Sequence, residues 1–336
     1  MSEIKKKYNN IDLFKFLMAF AVVAIHIEPM KNSNSDLAVK IYSIVVAMAV
    51  PYFFMSSGYL MASKIKWTFD EDDISKLRRH LFKIIKMYIV WTVIYTPLSI
   101  YHFISEGKNP IIATLSYIRG LLLIGEHYNS WPLWYLLSTI YALSVIIFFL
   151  KKYKRIDVIM MIAVFSSVVC VGITAFVEYA GVYVHLLEVA RKIIKLSIIN
   201  GRIFSGLVYI PLGMIFSRKK LSPVINVCML VGASIVHIFA KNAFASGYLT
   251  IISSIGLFGL VEILTLSDRL LYSRLRFYST SIYFIHMYIW SAYYMIIYGE
   301  KTYGADCFVA TSIISLIISV TYYYLFKRKK RIVNIP

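Results

Sequence analysis

Two ionisable residues, Lys15 and His26, lie inside the first apolar segment of the chain. They are 11 residues apart, so on an α-helix they share one face to within about 20° and are separated by about 16 Å along the axis. Ionisable side chains are costly inside a membrane helix and by default mark a functional site. The histidine could accept a proton near pH 7. The alternative is that Lys15 snorkels to the interface and His26 simply ends the helix.

A second basic pair, Lys83 and Lys86, opens the third apolar segment. The i, i+3 spacing places both ammonium groups on one helix face, where they could hold phosphates at the inner membrane surface. Anchoring by positive charge on the inner side is the alternative, since Arg78, Arg79 and His80 are adjacent.

Further polar residues occur late in the apolar segments. His286 closes the stretch Ser281-Ile-Tyr-Phe-Ile-His286, with Tyr283 nearly one turn before it. It is either a satisfied core histidine or a catalytic one. Glu262 is a carboxylate that needs a partner if it is buried. The stretch Trp131-Pro-Leu-Trp134-Tyr135 looks like an interface belt at the outer end of the fourth segment. Tyr283, Trp134 and Arg202, the last in the sixth segment, are also candidates to contact substrate.

The elements that must position these residues are membrane helices. Of the 336 residues, 59% are apolar and only 16% charged, and the mean hydropathy is +0.70, whereas soluble proteins are about half apolar and a quarter charged. Runs of roughly 18 to 24 apolar residues match a hydrocarbon core of about 30 Å. We predict an all-α polytopic membrane protein with about ten transmembrane helices. The predicted segments are 11–27, 41–61, 81–103, 131–150, 158–177, 198–216, 224–240, 248–265, 277–297 and 308–326.

The basic residues predict the orientation of these helices. Of the 36 lysines and arginines, 25 fall on one side of the predicted membrane and 10 on the other, with Lys15 inside the first helix. The positive-inside rule therefore places both termini in the cytoplasm, in a cell (plasma) membrane protein. The net charge of +19 is then a topology signal, and no nucleic-acid partner is expected. One membrane domain is predicted over 1–336, with a basic tail at 327–336, and three scattered cysteines predict neither a metal site nor a disulfide framework.

Four of these elements, in this order, resemble the membrane acyltransferase-3 family. The family has about ten helices and a basic-x10-His motif in the first, which Lys15 and His26 match. Its basic-x-x-basic motif is matched by Lys83 and Lys86, with lysines where arginines are usual. A Leu-Trp-Tyr-Leu element is matched by 133–136, and the late Ser-x-Tyr-x-x-His element by 281–286.

Within that family, two stretches look like the membrane half of vancomycin-resistance serine racemases. They are Ala24-Ile-His-Ile-Glu-Pro29 and Asn200-Gly-Arg-Ile-Phe-Ser-Gly206, the latter followed by Pro211-Leu-Gly213. The resemblance implies either a stand-alone acyltransferase or a membrane portion that works with a soluble partner domain.

The resemblance to acyltransferases implies transfer of an acyl group, acetyl in the leading interpretation, from acyl-CoA to a hydroxyl of an extracytoplasmic glycan or peptidoglycan-type polymer. His26 would be the base or transient acyl carrier, and Lys15 would position the donor. Lys83 and Lys86 would hold the CoA phosphates at the start of a narrow polar channel that ends at His26. Acyl-CoA is then a co-substrate, and no tightly bound cofactor is expected.

Two other classes of function stay open from the sequence. An amino-acid transporter would use Lys15 or Arg202 for the substrate carboxylate and Glu262 for its ammonium group. A polytopic scaffold would use its polar residues only to satisfy one another.

Overall fold

In the computed structural model of the chain, the described residues are 7–127, 129–179, 185–199, 201–299 and 303–327. The described residues form helices joined by short connections and contain no strand, which confirms the all-α prediction. Residues 328–336 of the predicted basic tail, together with Lys5, Lys6, Asn200 and Lys301, lie outside the described residues.

The chain divides into two compact units, one of Met1–Phe53 with Leu257–Pro336 and one of Phe54–Gly256. In chain order the helices up to the middle of the second unit are α1 (Asn9–Ile27), α2 (Asp36–Ala47), α3 (Ala49–Ala62), α4 (Glu71–Ser105), α5 (Pro110–Arg119), α6 (Leu133–Tyr153) and α7 (Asp157–Tyr179). The remaining helices are α8 (His185–Ile198), α9 (Ser205–Phe216), α10 (Pro223–Val227), α11 (Ala233–Phe239), α12 (Ala243–Ile263), α13 (Leu270–Tyr293) and α14 (Ala305–Tyr322).

Within the described residues, four π-helical segments extend or join these helices. Gly120–Ile124 continues α5, Cys228–Gly232 joins α10 to α11, Tyr294–Tyr298 continues α13 and Tyr323–Lys327 continues α14. In the first unit α1 packs on α2, α13 and α14, and in the second unit α6 packs on α4, α7 and α9. Single-turn π-helical segments often accompany functional sites. The first of the four, Gly120–Ile124, is followed directly by the loop that carries Glu126 and His127.

Seven helices of the described chain are long and apolar enough to cross a membrane, and an eighth crossing results if the bent pair Leu186–Ile198 and Arg202–Phe216 is one span. The predicted count of about ten is therefore not confirmed. Two predicted segments are not among these spans. Pro223–Phe239 is too short, and α13 carries many Tyr, Ser and Thr residues.

The helix predicted at 41–61 is interrupted, because α2 ends at Ala47 and α3 begins at Ala49. Pro51 explains the interruption. Its ring clashes with the carbonyl group four residues earlier and its nitrogen has no hydrogen to donate. Around the interruption, the Met48 N–H donates a hydrogen bond to the Val45 oxygen and the Tyr52 N–H donates one to the Met48 oxygen.

Two glycines of the second unit allow the backbones of α3 and α9 to touch. A Cβ at Gly58 would lie 2.1 Å from the Ile210 carbonyl oxygen, and one at Gly213 would lie 2.0 Å from the Met55 carbonyl oxygen. Small residues permit this close approach between membrane helices, where packing replaces the hydrophobic effect as the source of association.

Candidate active site and donor pocket

His26 and His286 meet in the first unit. Their imidazole rings stack with centroids 5.4 Å apart and planes 24° apart. The contact follows from the packing of α1 on α13, which brings together the two histidines that the sequence singled out. His26 is half-buried, whereas His286 is completely buried.

The hydrogen bonding of His286 fixes its protonation pattern. Its Nδ1 lies 3.0 Å from the Ile282 carbonyl oxygen one turn earlier. A carbonyl oxygen only accepts, so in the neutral ring Nδ1 carries the proton and Nε2 has the free lone pair. Nε2 is buried and has no hydrogen-bond partner among the described residues. Buried polar atoms are rarely left unpaired unless they have a further role.

Lys15 connects to this histidine pair through two aromatic rings. Its Nζ lies 5.9 Å from the centroid of the Phe53 ring, a cation–π distance. Phe53 contacts Tyr283 at 5.5 Å between centroids, and Tyr283 contacts His286 at 6.4 Å. The predicted shared face of Lys15 and His26 is therefore the face that α1 turns toward other helices of its unit.

An ion pair that the sequence analysis did not identify lies beside Lys15. Asp12 accepts two hydrogen bonds from Arg276, Nε to Oδ1 at 2.8 Å and a terminal nitrogen to Oδ2 at 2.5 Å. The carboxylate side chain is 2% exposed, and this paired fork is the strongest geometry for such a contact. The signal that could have revealed Asp12 is an acidic residue in an apolar helix, one turn before Lys15.

Lys83 and Lys86 lie in the second unit and line a basic pocket of about 440 Å³. The other lining residues are Met61, Lys64, Lys76, Arg79, His80 and Phe82. Both predicted lysines are exposed, while Lys76 is paired with Asp72 at 2.8 Å. Several cationic groups around one pocket match a polyanion better than a single charge does. The channel predicted from the sequence joins residues of both units and stays a prediction.

Trp134 and Arg202, predicted separately, come together in the second unit. The Arg202 guanidinium lies over the Trp134 indole at 5.2 Å and forms an ion pair with Glu126. The turn that carries Arg202 is fastened to α6, because the Ser138 hydroxyl donates to the Ile203 carbonyl oxygen at 2.7 Å. Ser138 lies one helical turn after Trp134, so this bond fixes where the guanidinium stands.

The acidic partner of Arg202 is Glu126. Sequence spacing could not have revealed this pair, because the two residues are far apart in the chain. Glu126 lies 76 positions before Arg202. Burial raises the pKa of the Glu126 carboxyl group, and the charges of Arg202 and Arg119 oppose that rise. Burial also lowers the pKa of the adjacent His127 to about 4, so this imidazole is neutral at pH 7.

Glu262 is buried in the first unit, as predicted, at a distance from the histidine pair. Its backbone oxygen accepts a hydrogen bond from the Asn10 side chain at 3.2 Å. Asn10 and His26 lie 16 residues apart on α1, which corresponds to about 24 Å along the helix. The backbone of Glu262 therefore lies near the start of α1, whereas His26, which contacts His286, lies near its end.

The sequence profile of the family described as "Acyltransferase domain", the acyltransferase-3 family, matches residues 8–324. The chain belongs to the acyltransferase-3 family. All nine predicted site residues of this acyltransferase-3 protein lie within the matched range. No solved structure matches the chain.

Curated relatives of this acyltransferase-3 chain support the racemase branch suggested by the sequence. Two proteins of Enterococcus faecalis named amino-acid racemase are 30% identical over 128 residues, 38% of this chain, and 29% identical over 149 residues, 44% of this chain. A serine/alanine racemase of Enterococcus gallinarum is 29% identical over 125 residues, 37% of this chain. The aligned stretches span only 18% to 19% of the length of these relatives.

Proposed function

We propose that this protein transfers an acyl group, acetyl in the simplest case, from acyl-CoA to a hydroxyl of an extracytoplasmic glycan or cell-envelope polymer. The observation that carries the proposal is the stacked pair of His26 and His286 in a membrane protein of the acyltransferase-3 family. A hydroxyl is a poor nucleophile until a base accepts its proton, and imidazole does so near neutral pH.

In the proposed reaction the acceptor oxygen attacks the thioester carbonyl carbon, and the carbon–sulfur bond breaks. His26 receives the proton of the hydroxyl and passes it to the departing CoA thiolate. Alternatively, His26 first takes the acyl group from the thioester and then passes it to the acceptor hydroxyl, which gives the same products in two steps. Lys15, about 16 Å from His26 along α1, supplies a positive charge that positions the donor, and the Asp12–Arg276 ion pair lies one turn before it.

The basic pocket of the second unit supports CoA as the donor. CoA carries phosphates that cannot enter a hydrocarbon core at low cost. Lys83 and Lys86 provide exposed ammonium groups for them, and Arg79 adds a guanidinium at the same pocket. Lysine binds phosphate as a point charge and arginine as a planar fork, so the pocket holds both kinds of donor.

The test is the variant His26→Ala, assayed for envelope O-acetylation in cells and for acetyl-CoA turnover by purified protein. We expect acetylation to be abolished while expression and membrane insertion stay normal. His237→Ala, on α11, is the matched control and should keep wild-type activity. Wild-type acetylation in His26→Ala would remove His26 from the mechanism.

The alternative function is amino-acid (serine) transport by the membrane portion of a vancomycin-resistance type serine racemase, working with a soluble domain. The names of the curated relatives favour it. Proteoliposomes separate the two functions. Saturable serine uptake that does not depend on CoA would support transport, whereas acetyl-CoA hydrolysis or acyl transfer would support the enzyme.

A further inference from the structure

A second cluster of charged side chains lies in the unit that holds the basic pocket but is not part of that pocket. It consists of Arg119, Glu126, His127 and Arg202 beside Trp134, and we call it the arginine cluster. Acyl transfer as proposed above uses none of the first three residues. The proposed acyl transfer therefore leaves the function of the arginine cluster unexplained.

Close backbone approaches build the cluster. A Cβ at Gly125 would lie 2.5 Å from the Trp134 Cα, so only glycine lets the loop before α6 rest on Trp134. Gly125 also has φ +77°, the left-handed region that favours glycine. A Cβ at Gly120 would lie 2.4 Å from the His127 Nδ1. Glu126 and His127 are thereby held between α5 and α6.

Arg202 is held just as firmly from the other side. The Gly206 N–H donates to the Ser138 hydroxyl at 2.9 Å, next to the bond from that hydroxyl to the Ile203 oxygen. Arg202 itself stands where the two helices of the bent pair meet at 54°. Breaks in membrane helices expose the positive N-terminal end of the following helix to anionic groups of substrates.

The charges of the cluster do not cancel. Glu126 is paired with Arg202, but Arg119 forms no hydrogen bond or ion pair with any described residue, and its Nε is buried. His127 is 8% exposed, and its Nε2 is buried without a partner among the described residues. Two guanidinium groups against one carboxylate leave one positive charge and several unused polar atoms.

We propose that the arginine cluster binds the carboxylate group of a small ligand. Arg119 offers an unused planar fork, the geometry that matches a carboxylate. Arg202, held on Trp134 by Glu126, supplies a second guanidinium at the same site. One net positive charge balances a monoanion, whereas a phosphate dianion would place excess negative charge beside Glu126. This goes beyond acyl transfer, whose histidines belong to the other unit.

Two sources could supply such a carboxylate, a free α-amino acid or an acidic sugar of the envelope. The full-length protein in detergent is titrated by calorimetry, without CoA, with two matched pairs. L-Serine is compared with L-serinamide, and N-acetylmuramic acid with N-acetylglucosamine, which lacks the lactyl carboxylate. We expect the acid of one pair to bind at least tenfold more tightly than the compound of that pair that lacks the carboxylate, and that pair identifies the source.

The key variant is Arg119→Gln, because Arg119 has no hydrogen bond or ion pair to a described residue that the substitution would break. It should weaken binding of the preferred acid at least tenfold, about 1.4 kcal/mol. Arg155→Gln, an exposed arginine paired with Asp157, is the control and should bind like the wild type. Arg202→Lys keeps the charge and loses the fork, and we expect an intermediate affinity.

Three results would overturn the proposal: neither acid binds, the compounds that lack the carboxylate bind equally well, or Arg119→Gln binds like the wild type. Acetyl-CoA binding is measured on the same preparations. Its absence, with carboxylate binding intact, would count against the proposed acyl transfer alone, so the two failures are distinguishable.

Discussion

At the scale of single residues, His286 is the group whose chemistry the structure defines most closely. The bond from Nδ1 to the Ile282 oxygen leaves Nε2 as the acceptor in a fully buried site. His286→Asn retains a donor for that carbonyl oxygen and removes the basic nitrogen. If His286 shares the proton of His26, kcat falls by about 10² to 10⁴, the usual contribution of a general acid or base.

The control for this prediction is His102→Asn, a partly buried histidine paired with Glu106, which should leave kcat unchanged. The thermal midpoint of His286→Asn, measured in detergent, should stay close to that of the wild type. A normal kcat in a well-folded His286→Asn variant would assign His286 to packing alone.

The site residues that could be predicted from the sequence are ionisable residues inside apolar segments, where a charge is energetically unfavourable. Lys15, His26 and His286 lie in apolar stretches, and His26 and His286 form the stacked pair. Asp12 carried the same signal and was missed. Glu126 carried no such signal. Its pairing with Arg202 depends on a contact between the loop before α6 and the break before α9, which sequence spacing does not predict.

At the scale of helices, α4 presents Arg79, Lys83 and Lys86 to the basic pocket. Phosphate contacts hold the donor equally in the ground state and the transition state, so their loss raises KM more than it lowers kcat. We expect Lys86→Ala to raise the KM for acetyl-CoA about fivefold, since an exposed ion pair contributes up to ~1 kcal/mol. The kcat should change less than twofold, as measured in steady-state assays.

Lys151→Ala, at the exposed end of α6, is the control and should leave both constants unchanged. Because Lys83 lines the same pocket, the double variant should raise KM further. A fall in kcat with an unchanged KM would contradict a role in donor binding and would place Lys86 nearer to the chemistry.

Hydropathy located the helices better than it counted the crossings. Each of the ten predicted segments overlaps a helix. Asp70 caps the N-terminus of α4 by accepting a hydrogen bond from the Asp73 N–H at 2.9 Å. α13 was predicted as a span but falls outside the apolar set because of its many Tyr, Ser and Thr residues.

At the scale of the whole molecule, the distribution of basic residues and the helix lengths give different answers on whether Pro223–Phe239 crosses the membrane. The charge pattern puts Lys219 and Lys241 on opposite sides, which requires Pro223–Phe239 to cross. That stretch is among the shorter apolar helices, of 10 to 17 residues, so it spans at most about 25 Å against a core of about 30 Å. Local thinning of the bilayer accommodates such a mismatch at modest cost.

Charge should prevail over length here, because lysines and arginines in short loops set orientation. We predict that Lys108→Cys and Lys241→Cys react with a membrane-impermeant maleimide in intact cells. Lys154→Cys and Lys219→Cys should react only after permeabilisation. All four lysines are exposed, and the background has Cys170, Cys228 and Cys307 replaced by alanine.

The pair at 219 and 241 decides the number of crossings between them. Equal labelling of both in intact cells, or of neither, would mean that Pro223–Phe239 stays on one side. Either α13 would then also fail to cross, or the C-terminus would lie outside the cytoplasm. A thiol introduced at Gly304, between α13 and α14, separates these outcomes. The apolar helix α12 carries the chain across between Lys241 and Ser267 in both, so only a crossing by α13 returns Gly304 to the side of Lys241.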